Sequence, residues 1–254
     1  MTDEPATDPW APLRRTTQAR IGLGRAGTSL PTRRVLEFAT AHAAARDAVH
    51  EPLDVAALVA QVAALGLDLG EPVHVESRAA TRGEYLRRPD LGRVPASLEP
   101  LADAERGADV AIVLADGLSS RAMADHGAAL LGALVGALRA APGGLRLAVP
   151  VVATQARLAL GDHVGEALGV DVVLVVIGER PGLSVADSLG IYLTLQPRPG
   201  RADSERNCIS NVHPPDGLGY DQAARVAVSL VAGARRLGRS GVDLKDRSGD
   251  ELVG

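Results

Sequence analysis

A glycine-rich segment near the start of the sequence has the letters of a nucleotide-binding motif. Gly22-Leu23-Gly24-Arg25-Ala26-Gly27 fits the G-x-G-x-x-G spacing that lets a backbone approach a pyrophosphate, and Asp47 follows about 20 residues later. The motif needs a buried strand before it and a helix that opens at its glycines. Only Arg20-Ile21 precedes it here, and the next helical pattern starts after Pro31. We interpret the segment as a structural or interface loop, and a nucleotide site stays open as the alternative.

Other chemically capable residues lack the partners that their chemistry needs. The six histidines form no H-E-x-x-H motif and Cys208 is the single cysteine, so we expect no metal ligands and no intrachain disulfide. Ser119 stands outside any G-x-S-x-G elbow. Cys208 as a nucleophile is a weaker interpretation than Cys208 as a small buried residue. His42, Arg46 and His50 share a helical face, which is typical of a solvated or interface stripe. We therefore expect no catalytic residue in this chain.

The segment Glu179-Arg180-Pro181-Gly182 follows an apolar run and leads it into a turn. An acid and an arginine at the end of a buried strand are held by a rigid element. Two interpretations remain open at this point: an ion pair between Glu179 and Arg180 that shapes the turn, or a ligand-binding position.

Composition and charge argue against two classes of partner, nucleic acids and membranes. The chain has 254 residues, a formal net charge of −4 and five aromatic residues, and none of its segments gathers basic residues. These features argue against a nucleic-acid partner. The longest apolar runs are shorter than the roughly 20 residues that cross a bilayer, and the N-terminus has no apolar stretch typical of a signal peptide. We expect no membrane partner and a cytoplasmic protein.

Apolar periodicity divides the chain into a helical first third and a region of alternating strands and helices. A helix is predicted from Thr32, and a second from an N-cap at Asp54 through Leu65. Pro150 lies within one predicted strand, although proline has no N–H to donate to a neighbouring strand. The predicted division is a flexible tail (1–18), a mainly helical N-terminal region (19–107), an α/β domain (108–246) and a frayed tail (247–254).

The α/β region is expected to form a mostly parallel sheet with flanking helices. Four continuously apolar segments predict parallel strands that are covered on both faces. Parallel strands would bring the loops that follow them, including the Glu205–Asn211 stretch, to one edge of the sheet, where ligands collect. The predicted strands are 109–115, 147–153, 171–177 and 189–195, and the predicted helices are 119–140, 162–168 and 220–237.

Several strings together resemble the small (light) subunit of adenosylcobalamin-dependent ethanolamine ammonia-lyase. The similar stretch runs from about Arg20 to Asp246. Its most specific parts are GERPGL and ERNCISN, and the rest of the match comprises ARIGLGRAGTSLPT, AHAAARDAVH, ADVAIVLADGLS, ARLALGDHVGEALG, IGERPGLSVADSLGIYL and SGVDLKD.

The resemblance implies a Rossmann-like domain that supports adenosylcobalamin at the interface with a larger barrel subunit. In that family the large subunit converts ethanolamine to acetaldehyde and ammonia by a radical mechanism, so this chain is expected to be a lyase subunit that is not catalytic alone. Carried over by motif position, the cofactor-binding residues are Leu158 in ARLALGD, Glu179 in GERPGL and Cys208 in ERNCISN.

The resemblance also leaves alternatives open. The Asp-x-His-x-x-Gly motif that supplies a histidine to cobalt is absent, so the benzimidazole of the cofactor is expected to stay as the lower ligand. A bacterial microcompartment, used by some relatives in ethanolamine degradation, is a second location beside the cytoplasm. Two rival functions remain: a freestanding nucleotide-dependent enzyme, and a non-catalytic scaffold that only assembles the partner.

Overall fold

A computed structural model describes residues 8–246, which form a six-stranded sheet with helices on both faces. The predicted tail 247–254 and residues 1–7 of the predicted N-terminal tail lie outside the described residues. The helices are α1 (Ala11–Arg14), α2 (Thr32–His50), α3 (Val55–Ala63), α4 (Arg82–Arg87), α5 (Ser120–Ala140), α6 (Leu158–Leu168) and α7 (Tyr220–Leu237). The strands are β1 (Val73–Glu76), β2 (Val110–Ala115), β3 (Val151–Thr154), β4 (Val172–Gly178), β5 (Leu189–Leu195) and β6 (Asn207–Val212).

The strand order is β1-β3-β2-β4-β5-β6, and the first four strands in this order are parallel. This confirms an α/β fold with a mostly parallel sheet. The prediction of a parallel strand at 189–195 was wrong, because β5 runs antiparallel to β4. The connection 179–188 contains no helix and is shorter than the dozen or so residues of a parallel crossover, so the chain can only turn back on itself.

Two strands were not predicted. β1 has only four residues, and β6 lies in a segment that we expected to be a loop. β6 is an edge strand in which Ile209 and Val212 are buried while Cys208, Ser210 and Asn211 are exposed. Because half of this strand is polar, it lacks the continuous apolar run of the central strands.

The central strands place alternate residues on the two faces of the sheet. Val110, Ile112 and Leu114 of β2 pack against α3, α5 and α7, whereas Ala111 and Val113 face the layer that contains α6. Both faces are therefore covered by apolar side chains, as the continuous hydrophobicity of these strands predicts.

The predicted helices form, and their ends follow local chemistry. α2 begins directly after Pro31, and the Asp54 carboxylate caps α3 by accepting from the Ala57 N–H at 2.9 Å. α6 begins at Leu158, earlier than the predicted 162. β3 begins only at Val151, because Pro150 has no N–H to donate to the ladder.

The first half of α2 is poorly covered by the rest of the protein. Ala48 is the only residue of α2 that is buried, whereas Leu36 is 61% exposed and Phe38 is 48% exposed. α2 thus presents apolar side chains to its surroundings. Within residues 8–246, no helix is long and apolar enough to cross a membrane.

Candidate functional site

A cleft of about 600 Å3 opens at the edge of the sheet where β2, β3 and β4 end. Leu118 and Glu179 line it from the loops after β2 and β4, Leu158 lines it from the start of α6, which follows β3, and Ser210 lines it from β6. Because β5 and β6 are successively antiparallel, β6 runs in the direction of β4 and ends at the same edge. The cleft therefore lies at the sheet edge that the parallel-strand argument predicts, and β6 is the fourth strand that contributes residues to it.

A buried carboxylate joins the loops that follow β2 and β3. Asp116 accepts from the backbone N–H groups of Gln155 at 2.8 Å and Ala156 at 3.0 Å, and Arg82 approaches its Oδ2 at 3.3 Å. Burial raises the pKa of Asp116, and these donors act against that rise. Arg82 also donates to the Gly117 carbonyl at 2.8 Å, so it ties α4 to the floor of the cleft.

Arg157, which follows Gln155 and Ala156 in the sequence, is a cation that lines the cleft. The Arg157 guanidinium lies over the Tyr85 ring at 4.3 Å from its centroid, and the Tyr85 hydroxyl donates to the Ala156 carbonyl at 3.1 Å. Arg157 Nε and Gln155 Oε1 are buried without a hydrogen-bond partner. Buried polar atoms are rarely left unpaired in proteins, so this turn has the polar capacity to hold a ligand.

Glu179 is bound by three protein donors. Its carboxylate accepts from Ser210 Oγ at 2.6 Å, Ser188 Oγ at 2.8 Å and the Asn211 N–H at 3.3 Å. No ion pair joins Glu179 to Arg180 in the part of the chain that the structure describes. Since a carboxylate has about four acceptor positions, roughly one remains for a ligand.

Cys208 lies in strand β6 and not in the polar loop that we expected. It pairs with Tyr192 of β5 and is exposed. Desolvation of the thiol beside the sheet raises the pKa of Cys208, Glu179 raises it further, and a hydrogen bond with Tyr192 opposes the rise. The thiol is therefore a poor nucleophile at neutral pH.

The structure thus brings Leu158 and Glu179 into one cleft and leaves Cys208 beside it, two residues from Ser210 along β6. Tyr85, Arg157 and Asp116 also shape the site. The sequence placed Asp116 and Arg157 in two of the loops expected at this edge, without a role for their side chains, and it missed Tyr85. Asp116 carried a signal, because an acid directly after a buried strand needs partners. Nothing in the sequence indicates a role for Tyr85, since no feature of it places α4 against this edge of the sheet.

The other candidate residues from the sequence analysis have structural roles or lack the context that their chemistry needs. Ser119 Oγ caps α5 by accepting from the Ala122 N–H at 3.1 Å, and it donates to the Ala186 carbonyl at 2.8 Å. Residues 8–21 contain no strand, and α2 begins only at Thr32, which confirms the sequence-based objection to a nucleotide motif. Across residues 8–246, no three His, Cys, Asp or Glu side chains are grouped to hold a metal ion.

Comparisons with known proteins agree on one family. The model of the family Ethanolamine ammonia-lyase light chain (EutC) matches residues 7–245. The chain is similar to the ethanolamine ammonia-lyase small subunit of Rhodococcus erythropolis, with 62% identity over 257 residues that cover 100% of this chain and 96% of that protein. It is also similar to the small subunits of Bradyrhizobium diazoefficiens (51% over 247 residues, 95% and 92% covered) and Ralstonia nicotianae (49% over 259 residues, 97% and 94% covered).

Proposed function

The chain belongs to the ethanolamine ammonia-lyase light chain family, and we propose that it helps to bind adenosylcobalamin at an interface with a large subunit. The observation that carries this proposal is the cleft at the sheet edge. Leu158 and Glu179 line it, and Cys208 lies next to it, although these residues come from three separate parts of the sequence.

The residues of the cleft fit a corrinoid cofactor. Corrin side chains are amides, which both donate and accept hydrogen bonds. The cleft offers them Glu179 as an acceptor and the unpartnered Arg157 Nε as a donor. Leu118 and Leu158 add apolar surface for the macrocycle. No histidine lines this cleft among the described residues, which is compatible with a cofactor that keeps its own lower ligand.

The size of the cleft supports a shared binding site. A volume of about 600 Å3 suits a drug-sized ligand and is too small to enclose a whole corrinoid. The remainder of the cofactor would lie against the large subunit. When bound, adenosylcobalamin supplies the radical chemistry by which ethanolamine is converted to acetaldehyde and ammonia. This chain would bind and orient the cofactor and exclude water from one side of it.

We place the contact with the large subunit on the exposed apolar surface beside the cleft. A groove there is lined by Leu36 of α2 and by Leu183. The 179–186 loop borders both this groove and the cleft, since Glu179 lines the cleft and Leu183 lines the groove. Contiguous apolar surface of this kind is typical of a subunit contact. A cofactor bound in the cleft would then lie at the border of the two subunits.

Reconstitution from separately purified subunits tests the proposal. We expect saturable adenosylcobalamin binding and ethanolamine turnover only when both subunits are present, and weaker cofactor binding when the cleft is altered by Leu158→Glu. The matched control is Leu237→Glu, because Leu237 is exposed at the end of α7 and does not line the cleft. If Leu158→Glu assembles normally and binds the cofactor as the control does, the scaffold alternative replaces our proposal. Turnover by this chain alone would also contradict it.

A further inference from the structure

The charged side chains of the cleft are unequally paired. Its two acids both have protein partners: Glu179 has the three donors described above, and the Asp203 carboxylate lies 3.4 Å from Arg206 Nε. Three arginines line the same cleft: Arg93, Arg157 and Arg180. Within residues 8–246, none of these three makes an ion pair or a side-chain hydrogen bond with the protein. The cleft therefore has positive charge that the protein leaves uncompensated.

Arg157 is the arginine whose position is best fixed. Its guanidinium stacks on Tyr85, its Nε is buried, and its backbone N–H donates to the Gly92 carbonyl at 2.8 Å. Arg93 and Arg180 are exposed at the rim. A guanidinium is a donor only, and the buried Arg157 Nε without a hydrogen-bond partner has a desolvation cost. An anionic ligand group would remove that cost and would be held by the planar donor fork.

We propose that Arg157 binds the phosphodiester in the nucleotide arm of the cofactor, an inference that rests on the proposed function. The amides of a corrin are neutral, so the phosphodiester is the anionic group that the cofactor offers to an unpaired arginine. The start of α6 directly after Arg157 has no side-chain cap, and the N–H groups of Leu158 and Ala159 in its first turn favour an anion at the same place. Glu179 and its neutral donors would then face the amides.

Three corrinoids separate this role from a general effect on the cleft. Cobinamide keeps the corrin amides and lacks the phosphate, cobinamide phosphate restores the anion without the base, and cobalamin has both. In the assembled two-subunit complex, we expect Arg157→Gln to weaken the binding of cobalamin and cobinamide phosphate by about tenfold or more, and to leave cobinamide affinity unchanged. Arg157→Lys should recover part of the loss. Arg236→Gln is the control, because Arg236 is exposed on α7 outside the cleft.

Each outcome of these titrations is decisive. An equal loss of affinity for all three corrinoids in Arg157→Gln would overturn the inference and leave Arg157 as a packing partner of Tyr85. The same result follows if Arg157→Gln binds cobalamin as tightly as the wild-type complex does. Failure of the wild-type complex to bind any corrinoid would overturn the proposed function. In that case, titration of the wild-type complex with inorganic phosphate tests the anion site alone. Phosphate binding that is lost in Arg157→Gln would support the anion site, and no phosphate binding would refute it.

Discussion

Arg206 and Asp162 form a bidentate ion pair that is closed to solvent. The Nη1–Oδ1 and Nη2–Oδ2 distances are both 2.7 Å, and the two side chains are 1% and 0% exposed. Arg206 Nη1 also donates to Thr194 Oγ1 at 2.8 Å. Asp162 belongs to α6 and Arg206 directly precedes β6, so the pair fixes the helix that begins at Leu158 against the strand that carries Cys208.

Breaking this ion pair should destabilise the fold strongly. Arg206→Ala leaves a buried, uncompensated carboxylate, and removal of one partner from such a pair typically costs about 3–5 kcal/mol. We expect a loss of that size in the free energy of unfolding from urea denaturation. The control is Arg33→Ala, because the Arg33–Glu37 pair is exposed, and we expect a change within about 0.5 kcal/mol there. A loss below about 1 kcal/mol in Arg206→Ala would contradict the prediction.

The sequence predicted the elements that apolar periodicity marks. α5 has an Ala/Leu stripe over six turns. Ser119, which the sequence placed at the first position of this helix, is its N-cap. β2 and β4 were equally clear, because both faces of each strand are covered. The site edge could be predicted too, since it follows from the parallel direction of these strands.

The remainder depends on contacts between distant segments. Nothing near Arg206 in the sequence indicates that its partner is Asp162, and nothing near Tyr85 indicates that its ring meets Arg157. The turn of β5 against β4 could have been predicted from the short helix-free connection 179–188. Strand β6 has a bulge between its pairings with Leu189 and Ile191, and near this bulge the Asn211 N–H donates to Glu179. The only local sign of the bulge in the sequence is Asn211 itself, because asparagine tolerates the positive φ found there.

Replacement of Glu179 should weaken cofactor binding. If its remaining acceptor position receives a cofactor amide or hydroxyl, Glu179→Ala loses a charge-assisted hydrogen bond of about 1.5–3 kcal/mol, which is roughly a 10- to 150-fold loss of apparent cobalamin affinity. Glu179→Gln should cost less. The Michaelis constant for ethanolamine should stay nearly constant, because Glu179 would contact the cofactor and not the substrate. Cobalamin titration of assembled wild-type and variant complexes measures these effects.

Ser188→Ala separates the ligand role of Glu179 from a role in shaping the loop. It removes one donor to Glu179 and leaves the carboxylate in place. We expect near-normal cofactor affinity in Ser188→Ala. Equal losses in Ser188→Ala and Glu179→Ala, or unchanged affinity in Glu179→Ala, would show that Glu179 acts on the loop alone.

Cys208 should react slowly with thiol reagents at neutral pH. Its pKa is raised by desolvation and by Glu179, so the thiolate fraction at pH 7 is below that of a free cysteine and grows only as the pH rises beyond the usual range. Iodoacetamide labelling of the full chain against pH, with free cysteine as reference, measures this. Glu179→Gln should speed labelling by removing a negative charge.

Substitution of Cys208 distinguishes a contact role from a catalytic one. Cys208→Ala should leave turnover intact at saturating cobalamin and reduce cofactor affinity by a modest factor. Labelling as fast as that of a low-pKa thiol, or the loss of turnover in Cys208→Ala, would indicate a nucleophile instead.

The Gly22–Gly27 loop should bind no nicotinamide cofactor. Gly22 and Gly24 adopt φ values of +56° and +77°, and the Arg14 guanidinium donates to the Gly22 carbonyl at 2.6 Å, so the backbone is turned towards α1. Calorimetric titration with NAD and NADP should give no saturable heat. Saturable binding that Gly24→Val abolishes would restore the nucleotide interpretation.

Charge placed on the exposed apolar surface of α2 should impair assembly without unfolding the chain. Leu36 is 61% exposed and lines the groove beside the cleft, so Leu36→Arg removes little packing within this chain and keeps a good helix former. At a subunit contact the same arginine would be buried without a partner, which is costly. We expect at least a tenfold weaker association with the large subunit by analytical ultracentrifugation, with an unchanged unfolding midpoint. Leu237→Arg, on exposed surface at the end of α7, is the matched control and should assemble normally. If Leu36→Arg assembles as well as the control does, the large subunit must dock elsewhere, and if it abolishes only self-association, the surface joins two copies of this chain.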